Sequence, residues 1–265
     1  MRYHIDTIPL WDAYHAGGEC PLCSMFLRLQ NKYVQQELGD AFMLPEHRVL
    51  TNEKGFCKEH FAMMYQVPHR LGLALITHTH TQTRYDALFA QMEKLQQLAL
   101  EEEQKNPAVR AVSVNAKRAD LGVAMEKLVQ TIHQQDTTCV ICDKLTDTME
   151  RYYETMYHMF VHEAEFKEVF LASQGLCLNH FAQVLTTVRG QIGGKHKAEF
   201  IRALCTLMQQ NLPRVQTDLY DFTQMFDYKN AAEPRRPEIQ DAVARALNKI
   251  KGPIVAEALQ MDEDK

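Results

Sequence analysis

One ligand-bearing pattern occurs twice in this chain. Cys20-Pro21-Leu22-Cys23 is followed by Cys57-Lys58-Glu59-His60, and Cys139-Val140-Ile141-Cys142 is followed by Cys177-Leu178-Asn179-His180. The intervening stretches, residues 24–56 and 143–176, differ in length by a single residue. Only Cys205, among the 7 cysteines, stands outside the pattern. A lone C-x2-C is common, whereas a duplicated C-x2-C…C-x2-H at near-constant separation is specific. It predicts two four-ligand metal sites of Cys3His type inside an internally repeated fold.

The spacing explains the chemistry. Two residues three apart lie on one side of a helix's first turn, so a single ion reaches both. A C-x2-C at one helix start and a C-x2-H at another therefore clamp two helix ends together. The exposed N–H groups and partial positive charge of those ends favour thiolates. Three thiolates and a neutral imidazole suit tetrahedral Zn2+, with Zn–S of ~2.3 Å and Zn–N of ~2.0–2.1 Å. With all four positions filled by protein, such a site is structural. Taking each copy as self-contained puts Cys20, Cys23, Cys57 and His60 on one zinc, and Cys139, Cys142, Cys177 and His180 on a second. An iron–sulfur cluster is the alternative cofactor, since three Cys and one His can hold one. Dithiol redox chemistry of each C-x2-C lacks a βαβ context and leaves both C-x2-H pairs unexplained.

The elements around the ligands read as helices. Leu22, Phe26, Leu29 and Tyr33 follow the first C-x2-C at helical spacing, as Ile141, Leu145, Met149, Tyr152, Met156 and Phe160 follow the second. Pro21 suits a first helical turn, and Gly39 and Pro45 interrupt the first run. Gly55-Phe56-Cys57 and Gly175-Leu176-Cys177 predict glycine-broken loops that enter new helices at His60-Phe61 and His180-Phe181. Long helices are expected over about 72–104 and 195–227, the second kinked at Pro213, with another over 118–134 and a last one over 238–250. Residues 3–15 form a lead-in with a helical turn around Pro9. Gly (11) and Pro (9) are scarce, and nothing reads as a strand. The matches Gly55/Gly175, Phe61/Phe181 and Ala62/Ala182 extend beyond the ligands and point to duplication. The expectation is an all-α tandem repeat, each unit stapled by its own Cys3His site and the whole packed as one pseudo-twofold body. Its segments are 1–104 (repeat 1), 105–117 (linker), 118–229 (repeat 2), and 230–265 (loop, C-terminal helix and acidic tail).

A net charge of -5 offers no basic face for nucleic acid. No apolar run approaches the ~18–20 residues of a membrane span, and the N-terminus lacks a signal-peptide core. A cytoplasmic location follows as an expectation, and paired cysteines there mean metal or redox chemistry.

Weaker candidates are Glu150, Glu154, His158 and His162, which share one helix face and would suit a catalytic metal or acid–base work. A solvated face with i,i+4 pairs is the plainer reading. His78 and His80 diverge on a helix and read as surface residues. His69-Arg70 and Arg189 follow the C-x2-H helices and could meet an anion. Cys205, among Leu204, Leu207 and Met208, reads as a buried, inert thiol.

Several segments carry a resemblance: Ile5-Asp6-Thr7-Ile8-Pro9, Gly18-Glu19-Cys20-Pro21-Leu22-Cys23, Thr51-Asn52-Glu53-Lys54-Gly55-Phe56-Cys57, Arg70-Leu71-Gly72-Leu73-Ala74, Met149-Glu150-Arg151-Tyr152, Gly175-Leu176-Cys177-Leu178-Asn179-His180-Phe181 and Phe226-Asp227-Tyr228-Lys229-Asn230. Together they resemble an uncharacterised bacterial family common in anaerobic Gram-positive species. The resemblance covers nearly the whole chain. It implies a full-length single unit in a bacterial cytoplasm, and supplies no catalytic residues.

The function expected from the sequence is a zinc-binding helical scaffold that presents a surface to a protein partner. A thiol-based redox or metal sensor is the first rival. An enzyme with a site between repeats, at Glu154, His158 and His162, is the second.

Overall fold

Proline or cysteine marks the helix starts at residues 21, 45, 58, 140 and 178. In the computed structural model, which describes residues 4–104, 116–190, 194–227 and 239–254, helix α1 spans His4–Ala16 and α2 spans Pro21–Leu38. A 3-10 turn (Asp40–Met43) leads to α3 (Pro45–Lys54), which Pro45 opens, then α4 (Lys58–Gln66) and α5 (Arg70–Glu103). The order then recurs with α6 (Ala116–Asp136), α7 (Val140–His162), α8 (Ala164–Ala172), α9 (Leu178–Arg189) and α10 (Gly194–Gln224). Helix α11 (Ala242–Lys251) follows. No strand occurs among the described residues, so the chain is all-α as expected. The lead-in is a full 13-residue helix with Pro9 inside it, and α10 continues through Pro213. Most of the expected 105–117 linker, the 230–237 loop and the acidic tail lie outside the described residues.

The chain divides into two compact units that do not follow its sequential halves. Unit 1 comprises residues 1–29 and 145–265, and unit 2 comprises residues 30–144. The boundaries fall inside α2 and α7, so each of these helices begins in one unit and ends in the other.

Unit 1 is built on an aromatic core. Phe166, Phe170 and Phe200 are fully buried, and Phe160, Tyr14 and Tyr157 meet them edge-on or tilted at centroid distances of 5.1–5.9 Å. Unit 2 buries Val34, Leu38, Phe56, Met64, Ile76 and Ile141. Its long helices α5 and α6 pair through a 4-3 alternation of more buried residues. On α5 these are Thr77, Thr81, Arg84, Leu88, Gln91, Leu95 and Leu98; on α6 they are Leu121, Ala124, Leu128 and Thr131. That alternation is the seam of a two-stranded coiled coil. Gln91 and Thr131 hydrogen-bond across it. Past the end of α6, Val140 N donates to Gly55 O (3.1 Å), and His80 of α5 lies over Gly55, so α6 runs antiparallel to α5.

Candidate metal centres

Each cysteine pair sits at a helix start. Cys20 and Cys139 immediately precede α2 and α7, and Cys23 and Cys142 lie in the first turns of those helices. Cys57 and Cys177 occupy the N-cap positions of α4 and α9 in extended conformation, which puts His60 and His180 one turn in. The loops that aim these caps need glycine. Gly55 (φ +61°) and Gly175 (φ +78°) occupy the left-handed region. A Cβ on Gly55 would lie 2.4 Å from the His80 ring, and one on Gly175 would lie 3.2 Å from Met208 Sδ.

All eight side chains named from the sequence come together, but in exchanged sets. Cys20, Cys23, Cys177 and His180 form one group, and Cys57, His60, Cys139 and Cys142 the other. Each C-x2-C meets the C-x2-H of the other copy. This corrects the expectation that each repeat supplies its own site, and the first group lies in unit 1, the second in unit 2. Helix length accounts for the exchange. At 1.5 Å per residue α2 carries the chain about 27 Å from its C-x2-C, while α3, with 10 residues, is only about 15 Å long. The second copy is more unequal, since α7 has 23 residues and α8 only 9.

The donor geometry fits a single ion. In unit 1 His180 Nδ1 lies 3.5, 3.4 and 3.2 Å from the sulfurs of Cys20, Cys23 and Cys177, and Cys23 Sγ is 3.6 Å from Cys177 Sγ. In unit 2 His60 Nδ1 lies 3.2, 3.3 and 3.4 Å from Cys57, Cys139 and Cys142, and Cys57 Sγ is 3.8 Å from Cys142 Sγ. A tetrahedral ion with zinc-like bonds gives edges of about 3.8 Å between sulfurs and about 3.5 Å from sulfur to nitrogen. Backbone N–H groups of the first turns turn toward the cysteine sulfurs: Cys142 N donates to Cys139 Sγ and His180 N to Cys177 Sγ, both at 3.4 Å.

Burial and proton sharing make the thiols poor company without a cation. Burial pushes the Cys139 thiol up, and burial together with the charge of Cys139 raises Cys142. In unit 1, hydrogen bonding to Cys177 and Cys20 drives Cys23 far above an ordinary thiol, and hydrogen bonds from Cys20 and Cys23 pull Cys177 far below. Burial lowers the His180 imidazole, but its hydrogen bonds to Cys177 and Cys20 outweigh burial and bring it to about 9. Four donors in such contact hold protons between them unless a metal replaces those protons.

The surroundings of the two groups differ. In unit 1 Cys20, Cys23, Cys177 and His180 are all buried, and the rings of Phe26 and Tyr153 pack on His180. Lys249 of α11, 1% exposed, donates to the carbonyl oxygens of Glu19 (2.8 Å) and Gln174 (2.6 Å), joining the two loops that deliver the ligands. Its charge meets the buried Glu19 carboxylate at 3.3 Å, which also accepts two close hydrogen bonds from Arg214. In unit 2 Cys57 and Cys142 are partly exposed. The buried Gln30 amide lies 3.2 Å from His60 Nε2. The amide atom facing the ring is Gln30 Nε2, which also donates to Glu59 Oε1 at 3.4 Å. Glu19, Lys249 and Gln30 were not singled out from the sequence. A buried role for a lysine in an amphipathic helix leaves no local signal.

The remaining candidates do not join these centres. Glu150 and His162 are exposed at the ends of their stripe on α7, with Glu154 and His158 partly buried and the two imidazoles 4.4 Å apart. Cavities of about 410 Å³ (lined by Phe61, His80, Arg84 and Tyr85, among others) and about 360 Å³ (lined by Lys167, Glu199 and Arg202, among others) are formed by other residues. His78 is exposed as expected, but His80 is buried and bonded to Asn52 O at 2.9 Å, which corrects its surface reading. His69 caps α5 by accepting from Gly72 N, Arg70 lies over the Tyr65 ring, and Arg189 ends α9. Cys205 is partly exposed rather than buried.

No described helix is long and apolar enough to cross a membrane. No curated protein and no solved structure matches the chain. Residues 1–257 match the model of a family of unknown function, DUF6062, and the chain belongs to that family.

Proposed function

We propose that the chain is a zinc-stapled helical scaffold, in which two structural Cys3His zinc ions hold helix starts together and keep a helical surface in shape for a protein partner. The observation that carries this reading is the closure of both donor sets: three sulfurs and one imidazole nitrogen enclose each centre at single-ion spacing. Every tetrahedral position is then a protein ligand, and no position remains for a substrate or an activated water. Donor edges of 3.2–3.8 Å favour a single ion over an iron–sulfur cluster, whose own iron and sulfide atoms would hold the thiolates farther apart. Zinc would replace the shared protons and bind α2 to α9 and α7 to α4. Elemental analysis of protein purified without chelator should give two zinc per chain. Cobalt exchange should give the intense visible bands of tetrahedral thiolate coordination. Less than one zinc per chain, or the visible absorption of an iron–sulfur cluster, overturns the reading.

A second reading rests on the partial exposure of Cys57 and Cys142, whose sulfurs lie 3.8 Å apart. Under hydrogen peroxide these two thiolates would lose two electrons and join as a disulfide. The peroxide would take the electrons and two protons to become two waters, and the metal would leave. Reversible release of one metal per chain by mild peroxide, restored by a dithiol reductant, is the expected result. Sites that keep both metals dispose of the sensor.

A further inference from the structure

The α5–α6 hairpin of unit 2 has two unlike flanks. On α5, Tyr85, Phe89 and Met92 each lie one residue past a seam position, and on α6 Met125, Val129 and Ile132 do the same. A step of one residue turns about 100° around a helix. Because the helices run antiparallel, equal steps turn in opposite senses when viewed from one end, so both stripes emerge on the same flank. The opposite flank, one residue before the seam, is mostly small and polar; it carries Lys94, Gln97, Lys127 and Gln130, and beyond the buried Ile76 its one large apolar side chain is Val123. The six apolar side chains are 37–55% exposed. They amount to roughly 600 Å² of contiguous apolar surface, at the upper end of what single soluble proteins expose.

We infer that this flank is a homodimer interface, in which the hairpins of two copies pack face to face as an antiparallel four-helix bundle. Three observations select a second copy. First, the area matches: about 600 Å² from each copy gives about 1,200 Å² buried, the lower bound of a specific interface. Second, the antiparallel hairpin presents like apolar stripes from both helices, so a two-fold copy meets apolar side chains along the whole patch, with Met92 and Val129 beside the centre marked by the Gln91–Thr131 bond. Third, the outer rim is acidic, with Asp86, Glu93 and Glu126 next to the stripes, which disfavours an anionic lipid surface. The inference names a partner for the scaffold surface and rests on the hairpin, not on the metal.

Sedimentation of the full chain, loaded with metal, tests it. The wild type should be a dimer with a dissociation constant in the micromolar range or tighter. The double variant Met92→Glu and Val129→Glu should be monomeric while keeping its helicity and its metal content. Lys94→Glu with Lys127→Glu, on the polar flank, should stay dimeric. A wild type that is monomeric at about 100 μM overturns the interface. So does a dimer that survives the first variant, or one that the second variant also abolishes. If the chain dimerises in this pattern but holds no zinc, the scaffold reading fails and the interface stands.

Discussion

Each ligand has a partner that its own stretch of sequence does not reveal, and pairs of substitutions read those partnerships directly. Cys23→Ser with Cys177→Ser damages one centre only, so the double variant should retain one metal per chain by elemental analysis. Cys23→Ser with Cys57→Ser damages both and should retain close to none. Pairing within each copy would give the reverse: none with the first double variant and one with the second. Gly55 acts at the same scale. Its φ of +61° and the His80 ring 2.4 Å from any Cβ mean that Gly55→Ala forces both backbone and ring to move. The cost should be about 2 kcal/mol or more in chemical denaturation, and it should fall on unit 2, where Gly55 O also accepts Val140 N. The donors themselves were legible as residues. C-x2-C and C-x2-H at helix starts name all eight groups, because a helix's first turn fixes which side chains converge. The buried bond of His80 to Asn52 O was not legible, since a His-Thr-His run looks the same on a solvated helix as on one packed against a neighbouring loop.

Among the elements, α11 and the C-x2-C helices matter most for the centres. Lys249 links the Glu19 and Gln174 carbonyls from inside α11, so Lys249→Met leaves both loops short of a donor and a buried carboxylate short of a cation. Loss of one member of such a buried set costs about 3 kcal/mol. The variant should unfold at lower denaturant while still binding two metals. The helices that carry the cysteines also set how accessible each centre is. Cys57 and Cys142 are partly exposed, whereas every ligand of the unit 1 group is buried. Chelator should therefore remove metal in two phases, with unit 2 first. Cys57→Ser should abolish the fast phase, and Cys177→Ser the slow one. Most helix positions followed from periodicity, Pro21 and the two loop glycines, but Pro45, expected only to interrupt the first helix, opens α3, and neither α3 nor α8 was foreseen. What periodicity does not carry is which polar residue on a helix ends up buried, because Lys249 and an exposed lysine occupy the same kind of position in a repeating pattern.

For the whole molecule, the exchange of ligands means that neither half of the sequence holds a complete centre. A chain of residues 1–104 carries one C-x2-C and one C-x2-H that belong to different groups. It should bind zinc far more weakly in competition with a chelator than the full chain does. Mixing it with residues 105–265 should restore two tight sites. Tight binding by the first half alone would show that each repeat closes on itself. The donor types, their number, their place at helix starts and the all-helical class are local properties, set by residue chemistry and by the 3.6-residue turn, and the sequence by itself determined them. Which C-x2-C faces which C-x2-H, which lysine is buried beside a centre, and which flank of the α5–α6 hairpin is left open were decided only by the tertiary structure. These depend on the lengths of helices relative to their neighbours: a long α2 followed by a short α3 does not bring its own ligands back together, and the ligands of the other copy take their place.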